Sequence, residues 1–401
     1  MARLLILSGF WPTRSNPISG IFAVEQISAL VSLGHSVVLV LMQTIGHKES
    51  FLSAECLGLD PIKVQVAELR LFRLPERMSK SRLTYRSNIL MAGASIRRFV
   101  RRLKQRQGFD GAIVHGLRYA GLSVDAWSDE IDGNVICILH GVEPFYDSSL
   151  LKLYTRRFLR YHFHDNARLV IVGKYLKDHA EDLGFRFSQT TRVPNGTELP
   201  PRDSVSPIAL TPGRTVNICS VSNLIKVKGI EDTLAALKIT TSLGFQDWKY
   251  TIVGDGPERM NLMHLVDELG LSGRVHFLGR LSRSETLREI SACDLFCLPS
   301  WGEAFGIVYL EAMSRMRPVI GCQNCGPADF TTHDYDGLLV PPKSPESISQ
   351  ELLRLWQAPD SLRRIGINGR NTAETYSWIN NAQALTSLLE LTDVSAGASA
   401  Q

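Results

Sequence analysis

Short apolar runs alternate with helix-length segments along the whole chain, and this alternation constrains the fold more than any other feature. Residues 4–8, 36–41, 111–115, 135–140 and 168–172 read as buried strands in the first half. Residues 216–221, 250–253, 275–278, 294–298 and 318–321 repeat the pattern in the second. Helical patterns such as 22–33, 230–243 and 258–269 separate some of them. Strands that are apolar throughout, spaced by helices, specify parallel sheets covered on both faces. A chain of 401 residues is long for one core, and the alternation is used twice, so two domains are expected. Val193-Pro-Asn-Gly-Thr-Glu-Leu-Pro-Pro201 and the Ser/Pro-rich stretch to Pro212 punctuate the middle.

Several function classes fall away early. The first strand runs into Ser8-Gly-Phe-Trp-Pro12, not a Gly-x-Gly-x-x-Gly turn, which disfavours simple dehydrogenase chemistry. No apolar stretch is long enough to span a bilayer. The N-terminal apolar run is too short for a signal peptide and reads as a first strand. Seven scattered cysteines suggest a reducing compartment. Cys322-Gln-Asn-Cys325 is a single CxxC without a second pair, which argues against zinc or redox work. His162 and His164 lack metal-ligand spacing, and Asp334-Tyr-Asp336 reads as a turn, so no metal site is expected.

Charge is unevenly spread. Between Arg73 and Arg106 eleven basic residues stand against Glu76 alone, a local +10 in a chain of formal charge +4. The block surrounds Ile89-Leu-Met-Ala-Gly-Ala94 and continues as a helix through Ile96, Phe99, Val100 and Leu103. A basic amphipathic segment suits an anionic membrane surface, and a solvated helix face is the competing reading. Without a recognisable nucleic-acid motif, no nucleic-acid partner is expected.

The chemistry concentrates after the strand-like Asp294-Leu-Phe-Cys-Leu-Pro-Ser300. Glu303-Ala-Phe-Gly-Ile-Val-Tyr-Leu-Glu311 follows, with a helix predicted over 307–317 and Pro318 as its stop. Gly306, Ile307 and Val308 would open that helix with unpaired N–H groups, an arrangement that favours phosphate. Glu311 can then accept from a ribose diol, and Glu303 faces whatever hangs off the far phosphate. Two solvated glutamates beside a core helix are the bland alternative.

This segment resembles the E-x7-E signature of the retaining, nucleotide-sugar-dependent group 1 glycosyl transferases (family four), and further motifs follow in the family's order. Lys228-Gly229 in Ser220-Val-Ser-Asn-Leu-Ile-Lys-Val-Lys-Gly229 is similar to an element whose Arg and Lys clamp the diphosphate, with Asn223 where the Arg is expected and Lys226 as a possible second charge. Gly254-Asp-Gly-Pro-Glu258 matches a family hallmark, read here as a tight turn with Pro257 in the first helical position. In Val275-His-Phe-Leu278-Gly279 the resemblance puts backbone against the nucleotide base. In Pro17-Ile-Ser-Gly20 it brings the chain close to the donor phosphates, and at His140-Gly141 it gives a contact to the donor sugar.

The resemblance implies an α/β protein of the GT-B fold, two Rossmann-like parallel-sheet domains facing a central cleft. Residues 1–198 would form the acceptor-side domain and 199–375 the nucleotide-sugar domain. Residues 376–392 would return to the first domain, and 393–401 read as a disordered tail. The implied activity is metal-independent transfer, with retention, from a UDP- or GDP-linked sugar to a glycan or lipid-linked acceptor in cell-surface polysaccharide synthesis. No cofactor is implied. Glu303, Lys228 and His140 would carry catalysis. Gly20, Asn223, Lys228, Leu278, Glu303, Phe305, Gly306, Ile307, Val308 and Glu311 would bind the donor. A bacterial, cytoplasmic protein touching the inner face of the cell membrane is expected. The alternative is a sugar-nucleotide epimerase or small-molecule glycosyltransferase on the same fold.

Overall fold

The structure is a computed structural model. It describes residues 1–45, 50–72, 82–141, 167–182, 190–208 and 214–390. Residues 73–81 of the basic block, His162, His164, part of the linker and the tail 393–401 lie outside the described residues. The chain divides into two compact units, Met1–Gly196 with Trp378–Gln401, and Thr197–Ser377.

The first unit is built on β1 (Arg3–Ser8), β2 (Ser36–Thr44), β3 (Val64–Leu71), β4 (Gly111–His115), β5 (Val135–Leu139), β6 (Ala167–Ile171) and β7 (Thr190–Arg192). They form one sheet in the order β3-β2-β1-β4-β5-β6-β7, and every pairing is parallel. Leu4, Leu5, Ile6 and Leu7 are fully buried, as expected of a strand covered on both faces. The covering helices include α1 (Ile21–Ser32), α2 (Arg82–Lys104) and α3 (Tyr175–Asp182).

The second unit repeats the plan with β8 (Val216–Val221), β9 (Trp248–Val253), β10 (Val275–Gly279), β11 (Leu295–Cys297), β12 (Val319–Cys322) and β13 (Leu338–Val340). Their order is β10-β9-β8-β11-β12-β13, again all parallel. Helices α4 (Ile230–Ser242), α5 (Arg259–Glu268), α6 (Arg283–Ala292), α7 (Ile307–Met313), α8 (Pro345–Gln357) and α9 (Pro359–Thr375) complete it. In each sheet the order reverses beside the first strand, between β1 and β4 and between β8 and β11. Loops leaving the C-terminal ends of two such strands diverge to opposite faces and leave a crevice, the usual ligand site of open α/β sheets.

The last helix, α10 (Trp378–Leu388), belongs to the first unit. Gln26 on α1 donates its amide to Asn381 at 2.8 Å, and Asn381 donates to the Pro194 carbonyl at 2.7 Å. The second unit begins at Thr197, whose N–H donates to Tyr376 O at 2.8 Å.

The basic helix α2 differs from expectation. Ile89, Ala92, Ile96 and Val100 are buried in the first unit, so its apolar stripe faces core rather than a lipid surface. Arg97 is paired with Asp129 and Glu130, Arg101 with Glu130 at 2.6 Å, and Lys104 with Asp132 at 2.6 Å. The apolar stripe of α2 is thus a packed face, and its basic surface is partly neutralised by acidic turns. No helix among the described residues is long and apolar enough to cross a membrane.

Candidate active site

The loops leaving β8 and β11 meet at the crevice of the second sheet. Gly229 has φ 67°, and a Cβ there would lie 2.5 Å from the Pro299 carbonyl oxygen, so only glycine lets the two backbones touch. Ser300 Oγ donates to Val227 O at 3.1 Å and Trp301 N–H to the same oxygen at 2.9 Å. This stitching brings Lys228 to Glu303: Nζ donates to Oε2 at 2.6 Å, with both side chains 17% exposed. Two residues far apart in sequence are thus one half-buried ion pair, open enough for an anion to compete for the ammonium.

Helix α7 begins beside this pair. Gly306 is left-handed at φ 87°, and a Cβ there would meet the Tyr309 ring at 2.6 Å. The first turn leaves its N–H groups without intrahelical acceptors. The expected helix over 307–317 is shorter in regular form. Met316 is left-handed (φ 56°), with Arg317 N–H on Ala312 O and Met316 N–H on Met313 O, a Schellman stop. Phe305, expected at the donor, is buried, its ring centroid 5.4 Å from Phe330 and 6.2 Å from Tyr376. Its side chain anchors the loop, which leaves only its backbone for a ligand.

Glu311 is also buried, on the first turn and a half of α7. Arg283 Nη1 donates to its Oε1 at 2.7 Å. Arg283 opens α6, which Ser282 and Glu285 cap reciprocally. Its other nitrogen lies 3.7 Å from Glu198, which Arg315 approaches at 3.6 Å. The carboxylate proposed for the ribose is therefore already oriented by a cation from a neighbouring helix.

The remaining candidates of this unit line the same end of the sheet. Asn223 and Lys226 are exposed on the loop after β8. Gly254 approaches that loop so closely that a Cβ would fall 1.8 Å from Ser222 O, which accounts for the Gly-Asp-Gly-Pro turn. Pro257 lies in the turn rather than in the helix, because Glu258 N–H is taken by Leu224 O and regular helix starts at Arg259. Strand β10 slips register between Phe277 and Gly279, leaving Leu278 out of the ladder and 41% exposed. Asp336 caps its own turn, accepting Thr332 N–H at 2.7 Å and the Thr372 hydroxyl at 2.6 Å. Among the described residues no cluster of three or more His, Cys, Asp or Glu side chains is placed to hold a metal ion.

In the first unit Gly20 (φ 67°) precedes α1, and a Cβ would lie 2.5 Å from the Phe10 backbone. His140 follows β5, and His115 ends β4. His115 Nδ1 and His140 Nε2 are 2.9 Å apart, and the Phe22 ring lies 4.1 Å from the His140 ring. Burial pushes the His115 imidazole down to about 3 and His140 well below its ordinary value, the latter also because of His115. Both rings are therefore neutral near pH 7, and one must donate to the other. Among the described residues, buried His115 Nε2 and His140 Nδ1 have no hydrogen-bond partner.

Arg283, Glu198, Arg315 and His115 were not anticipated. The capping box Ser282-Arg-Ser-Glu285 was readable and would have put Arg283 at a helix start. A strand-end histidine like His140 was the available signal for His115. Nothing in sequence announces the Glu198 pairings.

Comparison with known proteins agrees with this geometry. The family model "Glycosyl transferases group 1" matches residues 203–372, and "Glycosyltransferase Family 4" matches residues 19–199. An uncharacterized glycosyltransferase of Methanocaldococcus jannaschii is 24% identical over 243 residues, 61% of this chain and 64% of the relative. A lipopolysaccharide core biosynthesis glycosyltransferase, LpsD of Rhizobium meliloti, is 30% identical over 208 residues, 52% of this chain and 58% of the relative. The chain thus spans less than two thirds of the length of these relatives. Among solved structures, HepE of Anabaena in complex with UDP and glucose superposes with a TM-score of 0.71 at 17% identity, over 98% of this chain and 100% of that one. Two parallel sheets of matching architecture and two family models laid end to end place the chain in the group 1 glycosyl transferases of the GT-B fold.

Proposed function

We propose that the protein transfers a sugar, with retention of anomeric configuration, from a nucleotide-diphosphate sugar to a glycan or lipid-linked acceptor in cell-surface polysaccharide synthesis. The observation that carries this reading is the Lys228–Glu303 pair beside the opening of α7. A diphosphate draws Lys228 away from Glu303, and the released carboxylate accepts from the hydroxyls of the attached sugar. Lys228 and the N–H groups of Gly306, Ile307 and Val308 neutralise the charge that grows on the departing diphosphate, the largest contribution in catalysis of this kind. Glu311, held by Arg283, accepts from the ribose diol. The exposed bulge at Leu278 offers backbone to the base, and Asn223 with Lys226 flanks the phosphates. In the first unit the neutral His140 offers a hydrogen bond to a sugar hydroxyl, and Gly20 gives the chain after β1 its close turn.

Glu303 and Glu311 do not act as a glycosidase pair, in which two carboxylates face each other across the scissile bond. Glu311 is occupied by Arg283, and Glu303 by Lys228. Retention then follows from attack on the face the diphosphate leaves, with a leaving phosphate oxygen taking the acceptor proton. The transition-state charge falls to Lys228 and the backbone, without a metal ion. The relative from Rhizobium meliloti is named for lipopolysaccharide core biosynthesis, and HepE was solved with UDP, which supports a nucleotide sugar and a glycan acceptor. The basic face of α2 would meet an anionic membrane at the inner face of a bacterial cell by charge alone.

The test is product analysis with a panel of UDP- and GDP-sugars, with and without lipid-linked acceptors. The expected product is an acceptor glycoside whose anomeric proton shows the donor's configuration by NMR. Conversion of the nucleotide sugar without acceptor would favour an epimerase instead.

A further inference from the structure

Cys322-Gln-Asn-Cys325 lies against the loop that carries Glu303. Strand β12 ends at Cys322, Gln323 and Asn324 turn with Asn324 left-handed at φ 59°, and Cys325 precedes a short 3-10 turn, Gly326–Asp329. The ends of such a four-residue turn have Cα atoms within about 7 Å. A disulfide spans roughly 4.4–6.8 Å between Cα atoms. Both thiols are free and buried.

The turn is tied to the Glu303 loop: Gly326 N–H donates to Glu303 O at 2.8 Å. A Cβ on Gly326 would lie 2.5 Å from the Phe305 backbone, so the turn and the Glu303 loop are in van der Waals contact. The neighbouring Cys322 first, then the Glu303 backbone and the Lys228 charge, lower the Cys325 thiol against the opposing effects of burial and the Glu303 carboxylate. Cys322 is pushed the other way. One thiol is thus poised as nucleophile and its neighbour as resolving group.

We propose that Cys322 and Cys325 form a peroxide-sensitive dithiol that controls the Glu303 loop, an inference that rests on Glu303 being a donor-site residue. The Cys325 thiolate attacks a peroxide oxygen and the O–O bond breaks. The sulfur becomes a sulfenic acid, and the departing hydroxide takes up the proton Cys325 released, giving water. The Cys322 thiol then attacks that sulfur. The S–O bond breaks, the S–S bond forms, and a second water leaves with the Cys322 proton. Two thiols lose two electrons and one peroxide gains them. Drawing Cys325 to bonding distance of Cys322 shifts the turn whose Gly326 N–H holds Glu303 O. The donor loop loosens, and nucleotide binding weakens. Spacing alone argued against a redox role; contact with Glu303 supplies the reason for one.

The full chain is treated with hydrogen peroxide, digested and weighed, and amide exchange is followed over residues 303–308. The peptide holding both cysteines is expected to lose two hydrogens and regain them with dithiothreitol. Exchange over 303–308 should rise, and UDP affinity should fall about tenfold. Cys322→Ala should stop at a dimedone-reactive sulfenic acid, and Cys325→Ala should leave Cys322 unmodified. Exposed Cys56 is the internal control for oxidation. Oxidation of Cys56 with this peptide unchanged overturns the proposal, as does a disulfide that leaves exchange over 303–308 unaltered. If UDP fails to bind the reduced protein as well, the transferase reading fails, while mass and exchange still decide the dithiol.

Discussion

Glu311→Gln removes one charge from a buried pair and leaves the other in place. The Glu311 side chain is 8% exposed, and Arg283, 2.7 Å away, is 23% exposed. Stranding one member of a fully buried pair costs about 3–5 kcal/mol. Arg283 retains Glu198 at 3.7 Å and some water, and the glutamine oxygen still accepts, so about 2 kcal/mol is expected here. For a unit of this size each kcal/mol moves the melting midpoint by about 2–4 °C, giving a fall of roughly 4–8 °C. Calorimetry with urea unfolding measures it. The companion is Arg283→Met with Glu311→Leu. Apolar replacement of both partners should recover much of the loss, with a coupling above about 1 kcal/mol in the double-mutant cycle. A midpoint shift below about 1 °C, with strictly additive single changes, would refute the claim that Arg283 holds the Glu311 carboxylate in place.

Other outcomes follow from the same structure. Gly229→Ala should cost about 2–3 kcal/mol in urea unfolding, because it combines a left-handed backbone with a Cβ 2.5 Å from Pro299 O. Lys228→Ala should lower kcat by about 10²–10³-fold in a transfer assay, and Glu311→Ala should chiefly raise the donor KM. His115 is held near 3 when folded and has its ordinary value of 6.5 when unfolded, so between those values the unfolded chain binds the proton. Its contribution is complete above the unfolded value and is lost as pH falls, at about 1.4 kcal/mol per pH unit below about 6. Urea midpoints taken from pH 7 to pH 5 should fall, and His115→Gln should flatten the decline; equal slopes would contradict it.

The sheets were legible because β1, β2, β4 and β5 are apolar on both faces, which leaves few alternatives to a covered parallel sheet. Strand β3 was not, since it lies at the sheet edge beside β2 and breaks its apolar run with Gln65, Glu68 and Arg70. Strands β7 and β13 are three residues long and give no periodicity. Lys228 and Glu303 were each visible as motifs, but their ion pair is made by the backbone contact of Gly229 with Pro299, which no local pattern encodes. The side-chain direction of Phe305 was not legible, because a loop aromatic beside a motif can face ligand or core, and here it faces Phe330 and Tyr376. In the α2 block the basic residues were countable, while their acidic partners lie in the later turn of Asp129, Glu130 and Asp132.

Isothermal titration of UDP and GDP against the intact protein and its Lys228→Ala variant tests the donor site most directly. One nucleotide should bind the intact protein and lose affinity about 10–100-fold in the variant, while the variant's unfolding free energy stays within about 1 kcal/mol of the parent's. Equal affinity in both proteins, or no binding of either nucleotide, would contradict the assignment of Lys228 and the opening of α7 to the diphosphate.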